Sequence, residues 1–305
     1  MTLSQILALR AAFDESEPRD DAGKWTSDGG DSKNGMIAAP ADRSTWPAHT
    51  QALKIPPAWT GVHINPDPEA ALQATGKDSK GRDQYVYSQR FKDGQAAAKF
   101  ARIQELDAKF DSIRKENDAN LKTPDKRVRE HAECSKLIMS MGIRPGSEED
   151  TQAKVKAYGA TTLLGKHVVQ EGDQTYLRFT GKKGVELNLP VTDSRVASML
   201  SRRASKAGED GQLFPNVSAG SLLTYTHQFD GGDFKTKDFR TLLGTRQAMQ
   251  AMKGVKAPRS EREYKKAVMA VAKTVATKLG NTPAVALQSY IAPIVFSRWR
   301  SRLAM

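Results

Sequence analysis

Basic side chains occur in unusual settings at three places along the chain. Arg144 lies between two glycines directly after an apolar segment, and Lys182 lies in a Gly-Lys-Lys-Gly run between two alternating segments, at the tip of a predicted hairpin. Lys237 and Arg240 are three residues apart, so a helix would place both on one face. Each base alone is more typical of a helix cap, a surface ion pair or a solvated turn.

A fourth element, residues 279–283, has the pattern of a helix start. Asn281 or Thr282 would be the N-cap, and Pro283 would lie in the first turn. Tyr290 follows in the same predicted helix, where a tyrosine is most often a core residue. In the order found here, however, two arginines, a lysine, a helix-start amide and a tyrosine match a known solution to phosphodiester exchange.

The net charge favours a polyanionic partner. The 305 residues contain 47 Lys and Arg against 35 Asp and Glu, which gives a net charge of +12. Residues 1–50 contain five bases and eight acids, so the whole excess lies in residues 51–305. Nucleic acid is the first candidate for such a partner, and a basic surface that only aids solubility is the alternative.

The composition excludes several classes of site. Cys134 is the only cysteine, so an internal disulfide and a cysteine-rich zinc site are excluded, and a reducing, cytoplasmic compartment fits. The five histidines are scattered, and no phosphate-loop motif occurs. No apolar stretch has the ~20 residues that span a bilayer, and the first residues make a poor secretory signal. We therefore expect no metal, no cofactor and no membrane partner.

The length predicts two domains, or one domain with tails. Residues 1–50 are polar and acidic, and we expect them to be disordered. Residues 51–95 alternate over 62–64, 72–75 and 84–87, which predicts a small β-rich domain. Residues 96–305 are predicted to form a larger, mainly helical domain with a small antiparallel sheet within 167–191, so the fold class is α+β. Helices are predicted over 94–120, 125–141, 191–206, 218–229, 234–251, 259–279 and 282–302.

Two longer blocks resemble a known family. Residues 78–87 read DSKGRDQYVY, which resembles the motif DSKGRxQYxY. Residues 237–241 (KDFRT), 279–283 (LGNTP) and the pair Ser289-Tyr290 resemble the run KDxRT…G(H/N)TP…Y. Together with GIRPGS and FTGK, the similarity covers about residues 53–300. The chain resembles a type IB DNA topoisomerase of the short poxviral and bacterial kind, related in its catalytic domain to tyrosine recombinases.

The resemblance implies a mechanism without a nucleotide cofactor or metal. Tyr290 would attack a DNA phosphodiester and form a 3′-phosphotyrosyl link, which conserves the energy of the bond. Arg144 and Arg240 would stabilise the charge that gathers on the non-bridging oxygens. Lys182 would protonate the leaving 5′ oxygen, with assistance from Lys237.

Asn281 departs from many members of the family, which have histidine at this position. An amide cannot carry a proton, so the resemblance leaves Asn281 a hydrogen bond to a non-bridging oxygen.

The resemblance also implies that the N-terminal domain grips double-stranded DNA. Lys80 and Arg82, on a turn, would meet phosphates or a base edge, and Gln84, Tyr85 and Tyr87 would lie along a strand that enters the major groove. The two tyrosines would share one face of that strand, and Gln84 would point to the other. The expected enzyme is a monomer that clamps DNA, in a bacterial cytoplasm or encoded by a phage.

Two alternatives remain open on the residues alone. A tyrosine recombinase uses the same nucleophile, but usually has HxxR where this chain has Lys237 and Arg240. An architectural DNA-binding protein with a degenerate site is the alternative without catalysis, although all the key positions are filled.

Overall fold

The computed structural model describes residues 35–147, 155–229 and 234–303. The chain divides into two compact units, the first ending at Ala101 and the second beginning at Arg102. The predicted boundary after residue 95 and the observed division both fall within one long helix, α2 (Gln89–Asn120).

The first unit contains an antiparallel sheet of four strands in the order β1-β2-β3-β4. A 3₁₀ turn, Arg43–Thr45, and a short helix, α1 (Ala48–Gln51), separate its first two strands. Its buried core is small and contains Trp46, Ile55, Ile64 and Ala74. The strands are β1 (Ile37–Ala38), β2 (Thr60–Ile64), β3 (Leu72–Lys77) and β4 (Asp83–Tyr87).

Residues 35–50 are ordered, which corrects the expectation of disorder over residues 1–50; residues 1–34 lie outside the described residues. Trp46 is 9% exposed, and its indole Nε1 donates to the carbonyl of Pro40 at 2.8 Å. Arg43 stacks on the Trp46 ring and donates to the carbonyl of Gln51. One aromatic side chain buries enough surface to order a polar segment, which average composition does not reveal.

The second unit is mainly helical and has one small sheet, which confirms the α+β prediction. The sheet is antiparallel with the order β5-β6-β7, as the alternation within 167–191 predicts. Its strands are β5 (Val168–Glu171), β6 (Gln174–Gly181) and β7 (Val185–Pro190), and its helices after α2 are α3 (Lys126–Met141), α4 (Ser194–Ala207), α5 (Ala219–Thr226), α6 (Thr236–Lys253), α7 (Glu261–Leu279), α8 (Pro283–Ser289) and α9 (Ser297–Leu303).

Helix α6 contributes to both hydrophobic clusters of this unit. Phe239 and Leu242 belong to a cluster formed with α2, α3, the sheet, α4 and α5. Ala248, farther along the same helix, belongs to a second cluster formed with α7, α8 and α9. The middle of α6 therefore lies where the two clusters meet.

The prediction of one helix over 282–302 is wrong, because the helix is interrupted after Ser289. Helix α8 ends at Ser289 with Tyr290 as its C-cap, a 3₁₀ turn covers Pro293–Phe296, and α9 follows. Pro293 has no N–H and disfavours the helical conformation at Ala292, which is extended with φ −65° and ψ 130°. Tyr290 is thus the C-cap of a short helix rather than a residue in the middle of a long one.

Candidate active site

The chain leaves helix α3 at Gly142, two residues before Arg144, and any other residue at this position would be strained. Gly142 is the C-cap, with a left-handed φ of 63°, and its N–H donates to the carbonyl of Ile138. A Cβ on Gly142 would lie 2.8 Å from a methyl carbon of Leu243 and 2.9 Å from one of Leu279. The chain therefore turns sharply at this point, and it carries Arg144 beside the ends of α6 and α7.

Arg240 is almost completely buried in the first turns of α6, with 3% of its surface exposed. Its guanidinium donates to the carbonyl of Gly142 and, at 2.7 Å, to the carbonyl of Leu279. These carbonyls lie at the C-terminal ends of α3 and α7, where the helix dipoles are negative. Burial, and then the nearby charge of Arg144, lower the pKa of Arg240 to about 10, so it stays charged at neutral pH.

Tyr290 lies against both arginines. Arg144 Nη2 donates to the Tyr290 hydroxyl at 3.2 Å, and the guanidinium carbon of Arg240 lies 4.7 Å from the centre of the ring. Burial alone would raise the pKa of Tyr290, but the charges of Arg240 and Arg144 and the hydrogen bond from Arg144 lower it below its ordinary value. The arrangement therefore favours the phenolate, which is the nucleophilic form.

Asn281 joins the same cluster. It follows Gly280, the left-handed C-cap of α7 with φ 60°, and its Oδ1 accepts a hydrogen bond from Arg144 at 3.2 Å. Asn281 Nδ2 and Arg240 Nε are buried and have no hydrogen-bond partner in the described part of the chain. Two unsatisfied donors beside a tyrosine hydroxyl are an arrangement that suits anionic oxygens.

Lys182 and Lys237 were predicted to belong to the same site. In the structure both side chains are exposed, and no hydrogen bond or ion pair between described residues joins them to the cluster. Lys182 begins an exposed 3₁₀ turn, Lys182–Gly184, at the tip of the β6–β7 hairpin. Lys237 is exposed in the first turn of α6. Within the described ranges, neither side chain makes a hydrogen bond or ion pair with Tyr290 or Asn281.

Asp238 is a site residue that the sequence analysis missed. It is 1% exposed, and it accepts hydrogen bonds from Arg102 Nε at 2.7 Å and from the backbone N–H of Lys235 at 3.0 Å. The second bond caps the start of α6, which begins at Thr236, four residues before Arg240. An acid at the third position of a predicted helix is the sequence signal that could have found this cap.

The residues predicted to contact DNA lie around the β3–β4 turn, and two of them bind Asp78. Arg82 Nε donates to Asp78 Oδ2 at 2.8 Å, and Gln84 Nε2 donates to the same oxygen at 3.0 Å. The backbone N–H groups of Lys80 and Arg82 donate to Oδ1 at 2.9 and 3.1 Å. Arg82, as the main cause, lowers the pKa of Asp78 to about 2.

Tyr85 and Tyr87 share one face of β4, as the alternation predicts. Their rings are 6.5 Å apart and nearly parallel, and Phe91 continues the stack 5.0 Å from Tyr87. Tyr85 is 39% exposed. A row of aromatic rings with one exposed end is suited to contact with bases or sugars.

Two kinds of feature are absent from the described residues. No helix among them has the length and apolar character of a membrane span. The same residues contain no group of three or more His, Cys, Asp or Glu side chains in an arrangement that could hold a metal ion.

Comparison with known proteins gives one consistent result. Residues 88–293 match the family model described as eukaryotic DNA topoisomerase I, catalytic core, and residues 42–78 match that of the bacterial DNA topoisomerase IB N-terminal domain. The chain is 29% identical over 255 residues to a DNA topoisomerase 1B of Acanthamoeba polyphaga mimivirus, covering 78% of this chain and 75% of the relative. It is also 26% identical over 227 residues to a DNA topoisomerase 1 of Rabbit fibroma virus (strain Kasza), covering 72% and 69%.

The Asp78 turn gives a pH-dependent prediction. Since the pKa of Asp78 falls from its ordinary 3.8 to about 2, its stabilising effect is complete above the ordinary value and is lost as the pH falls through about 2. We expect Asp78→Ala, which removes the acceptor of both amides, to speed hydrogen exchange of the Lys80 and Arg82 N–H groups at neutral pH. The difference in exchange rate between this variant and the parent should narrow toward pH 2.

Asp83→Ala is the matched control, because Asp83 pairs with Lys77 at an exposed position where an ion pair contributes little. Equal exchange rates in both variants and the parent at neutral pH would show that Asp78 does not hold the turn.

Proposed function

The chain belongs to the eukaryotic-type DNA topoisomerase I family, and we propose that Tyr290 is the nucleophile with which it cuts and reseals one DNA strand. It is a type IB DNA topoisomerase, an isomerase that relaxes supercoiled DNA. The observation that carries the proposal is the contact of the Tyr290 hydroxyl and ring with two arginines in one half-buried cluster.

In the proposed reaction, Tyr290 exchanges one phosphate ester for another. Its oxygen forms a bond to the phosphorus as the bond from phosphorus to the 5′ oxygen breaks, which leaves a 3′-phosphotyrosyl link and a free 5′ hydroxyl. The 5′ hydroxyl attacks the same phosphorus after the duplex has swivelled, and the tyrosine leaves. Because each step exchanges one ester for another, resealing needs no nucleotide cofactor.

Arg144, Arg240 and Asn281 stabilise the transition state in this proposal. Negative charge develops on the non-bridging oxygens of the five-coordinate phosphorus, and donors that are already in place lower its energy without reorganising. Arg240 Nε and Asn281 Nδ2 are buried and unpaired among the described residues, so they can donate to those oxygens without breaking an existing hydrogen bond.

Lys182 is the proposed general acid. A lysine at an exposed hairpin tip has a long, mobile stem, and its ammonium can reach the 5′ oxygen of DNA bound against the cluster. Lys237, exposed at the start of α6, would assist by holding a neighbouring phosphate or by sharing the proton transfer.

The proposed DNA contacts of the first unit are Lys80, Tyr85 and Tyr87, with Arg82 and Gln84 also holding the turn through Asp78. We further propose that the enzyme acts as a monomer that clamps duplex DNA in the cytoplasm of a bacterium, or as a phage product there. Relaxation by a single chain on a single plasmid, with no ATP or Mg²⁺ and no second DNA site, distinguishes this function from that of a recombinase.

Removal of the Tyr290 hydroxyl tests the nucleophile. Tyr290→Phe keeps the ring against Arg240, so we expect DNA binding to be nearly unchanged while plasmid relaxation and the covalent adduct disappear. The adduct of the parent enzyme, trapped on a denaturing gel and digested, should map to the peptide that contains Tyr290. Relaxation by the Phe variant, or an adduct on another peptide, would overturn the mechanism.

A better leaving group tests Lys182. Lys182→Ala should slow single-turnover cleavage by about 10²–10⁴-fold, the usual contribution of a general acid. The loss should largely vanish on DNA with a 5′-thiolate leaving group, because a thiolate leaves without protonation.

The neighbouring residue offers a matched control for this test. Lys183→Gly removes another positive charge from the same tip and suits the left-handed φ of 66° at that position. It should weaken DNA binding without slowing cleavage at saturation. If Lys182→Ala were equally slow on both substrates, its role would be binding rather than proton transfer.

Asn281 is tested by two replacements. Asn281→Ala removes a donor to the transition state and should slow cleavage by about 10²–10³-fold. Asn281→His restores a donor whose ordinary pKa is ~6.5, so the rate of this variant should gain a pH-dependent step that the parent lacks. Parental rates for the Ala variant would exclude the hydrogen-bonding role.

A further inference from the structure

We propose that Gly244 and Thr245 of α6 are positioning residues for the nucleophile, which they hold through its backbone. The inference rests on the proposed role of Tyr290. Both residues lie outside the motifs that carry the family resemblance, and neither touches the reacting atoms.

The helix break at Tyr290 leaves backbone groups that need other partners. The N–H of Tyr290 still donates within α8, to the carbonyl of Ala286 at 2.9 Å. The carbonyl of Tyr290 and the N–H of Ala292 lie between two helical segments, and Ala292 is 1% exposed. Buried backbone groups in such a break cost free energy unless they are paired.

Thr245 satisfies both groups with one hydroxyl. Its Oγ1 donates to the carbonyl of Tyr290 at 3.3 Å and accepts from the N–H of Ala292 at 3.2 Å. Thr245 is itself buried, with 7% exposed. A hydroxyl that both donates and accepts is the smallest side-chain group that can bridge these two atoms.

Gly244 allows the backbone of α6 to approach Tyr290 directly. A Cβ at this position would lie 2.6 Å from the carbonyl oxygen of Tyr290 and 3.1 Å from its Cβ. Gly244 has ordinary helical geometry within α6, so the position demands space rather than an unusual backbone conformation.

These contacts and Arg240 lie on one side of the same helix. Gly244 is four residues after Arg240, so the two stack on one face of α6. Arg240 lies against the Tyr290 ring at 4.7 Å, while Gly244 and Thr245 hold its backbone. One rigid helix thereby fixes the positions of both the nucleophile and a cation that stabilises its reaction. A displacement of about 1 Å between such groups can cost about 10²-fold in rate.

A positioning role differs from plain core packing in its effect on chemistry. A residue that only stabilises the fold alters the unfolding midpoint and leaves the rate of the folded enzyme unchanged. A misplaced nucleophile slows attack on phosphorus whatever the leaving group is. The 5′-thiolate substrate therefore separates Thr245 from Lys182, because the thiolate rescues only a missing proton.

The test compares variants at Thr245, Gly244 and Thr226 in single-turnover cleavage at saturating full-length enzyme. Thr245→Val keeps the shape and removes both hydrogen bonds, Thr245→Ser keeps the hydroxyl, and Thr226→Val is the matched control. Thr226 is likewise buried on α5, and its hydroxyl bonds to the carbonyl of Leu222 and the hydroxyl of Thr236. Unfolding midpoints and DNA affinity are measured for each variant.

We expect Thr245→Val to slow cleavage by up to about 10²-fold with little change in DNA affinity, equally on the 5′-oxygen and 5′-thiolate substrates. Thr245→Ser should restore most of the rate. Thr226→Val should lower the unfolding midpoint but cleave at the parental rate. Gly244→Ala, where it folds, should slow cleavage at least as much as Thr245→Val.

Three outcomes would overturn the inference: a parental rate for Thr245→Val, rescue of that variant by the thiolate, or an equal loss in Thr226→Val. These leave the proposed function standing as long as the adduct of the parent maps to Tyr290. An adduct on another residue would remove the proposed function and this inference together.

Discussion

The buried guanidinium of Arg240 is the interaction on which the site depends. A charge with 3% exposure needs partners, and within the described chain its partners are carbonyl oxygens rather than a carboxylate. A carboxylate would satisfy the guanidinium but cancel its charge. The two helix-end carbonyls offer acceptors and negative dipoles while leaving a net positive charge for the substrate phosphate.

This solution requires the ends of α3 and α7 to meet at α6, and two glycines make that possible. Gly142 and Gly280 both have left-handed φ values, which end their helices directly at the carbonyls that Arg240 binds. A Cβ on Gly280 would lie 2.1 Å from a methyl carbon of Leu187 in β7. The same turn that presents a carbonyl to Arg240 therefore packs on the hairpin that carries Lys182, and Asn281 follows it directly.

Much of this could be predicted from the sequence, because local signals mark it. Alternation located the strands around Lys182. The motifs shared with the family located Arg144, Arg240, Asn281 and Tyr290, which the structure brings into one cluster. The prediction of one continuous last helix was wrong, because it followed the helical spacing of the apolar residues and gave too little weight to Pro293. The contacts of Gly244 and Thr245 with Tyr290 span 45 residues or more of sequence. No local pattern contains such a contact, and a glycine or threonine inside a helix is unremarkable in the sequence.

Asp238, a buried acid on the same helix, is arranged so that it does not weaken the positive charge of Arg240. Asp238 lies two residues before Arg240, and positions two apart on a helix do not face each other. Its carboxylate is already held by Arg102 and by the start of α6, so its charge is compensated on the far side of the helix. The acid therefore stabilises the helix that carries Arg240 without neutralising the charge of that guanidinium. The ion pair of Asp238 with Arg102 is thus separate from the charge of Arg240. One buried helix can therefore contribute both to the stability of the fold and to a positively charged site for phosphate.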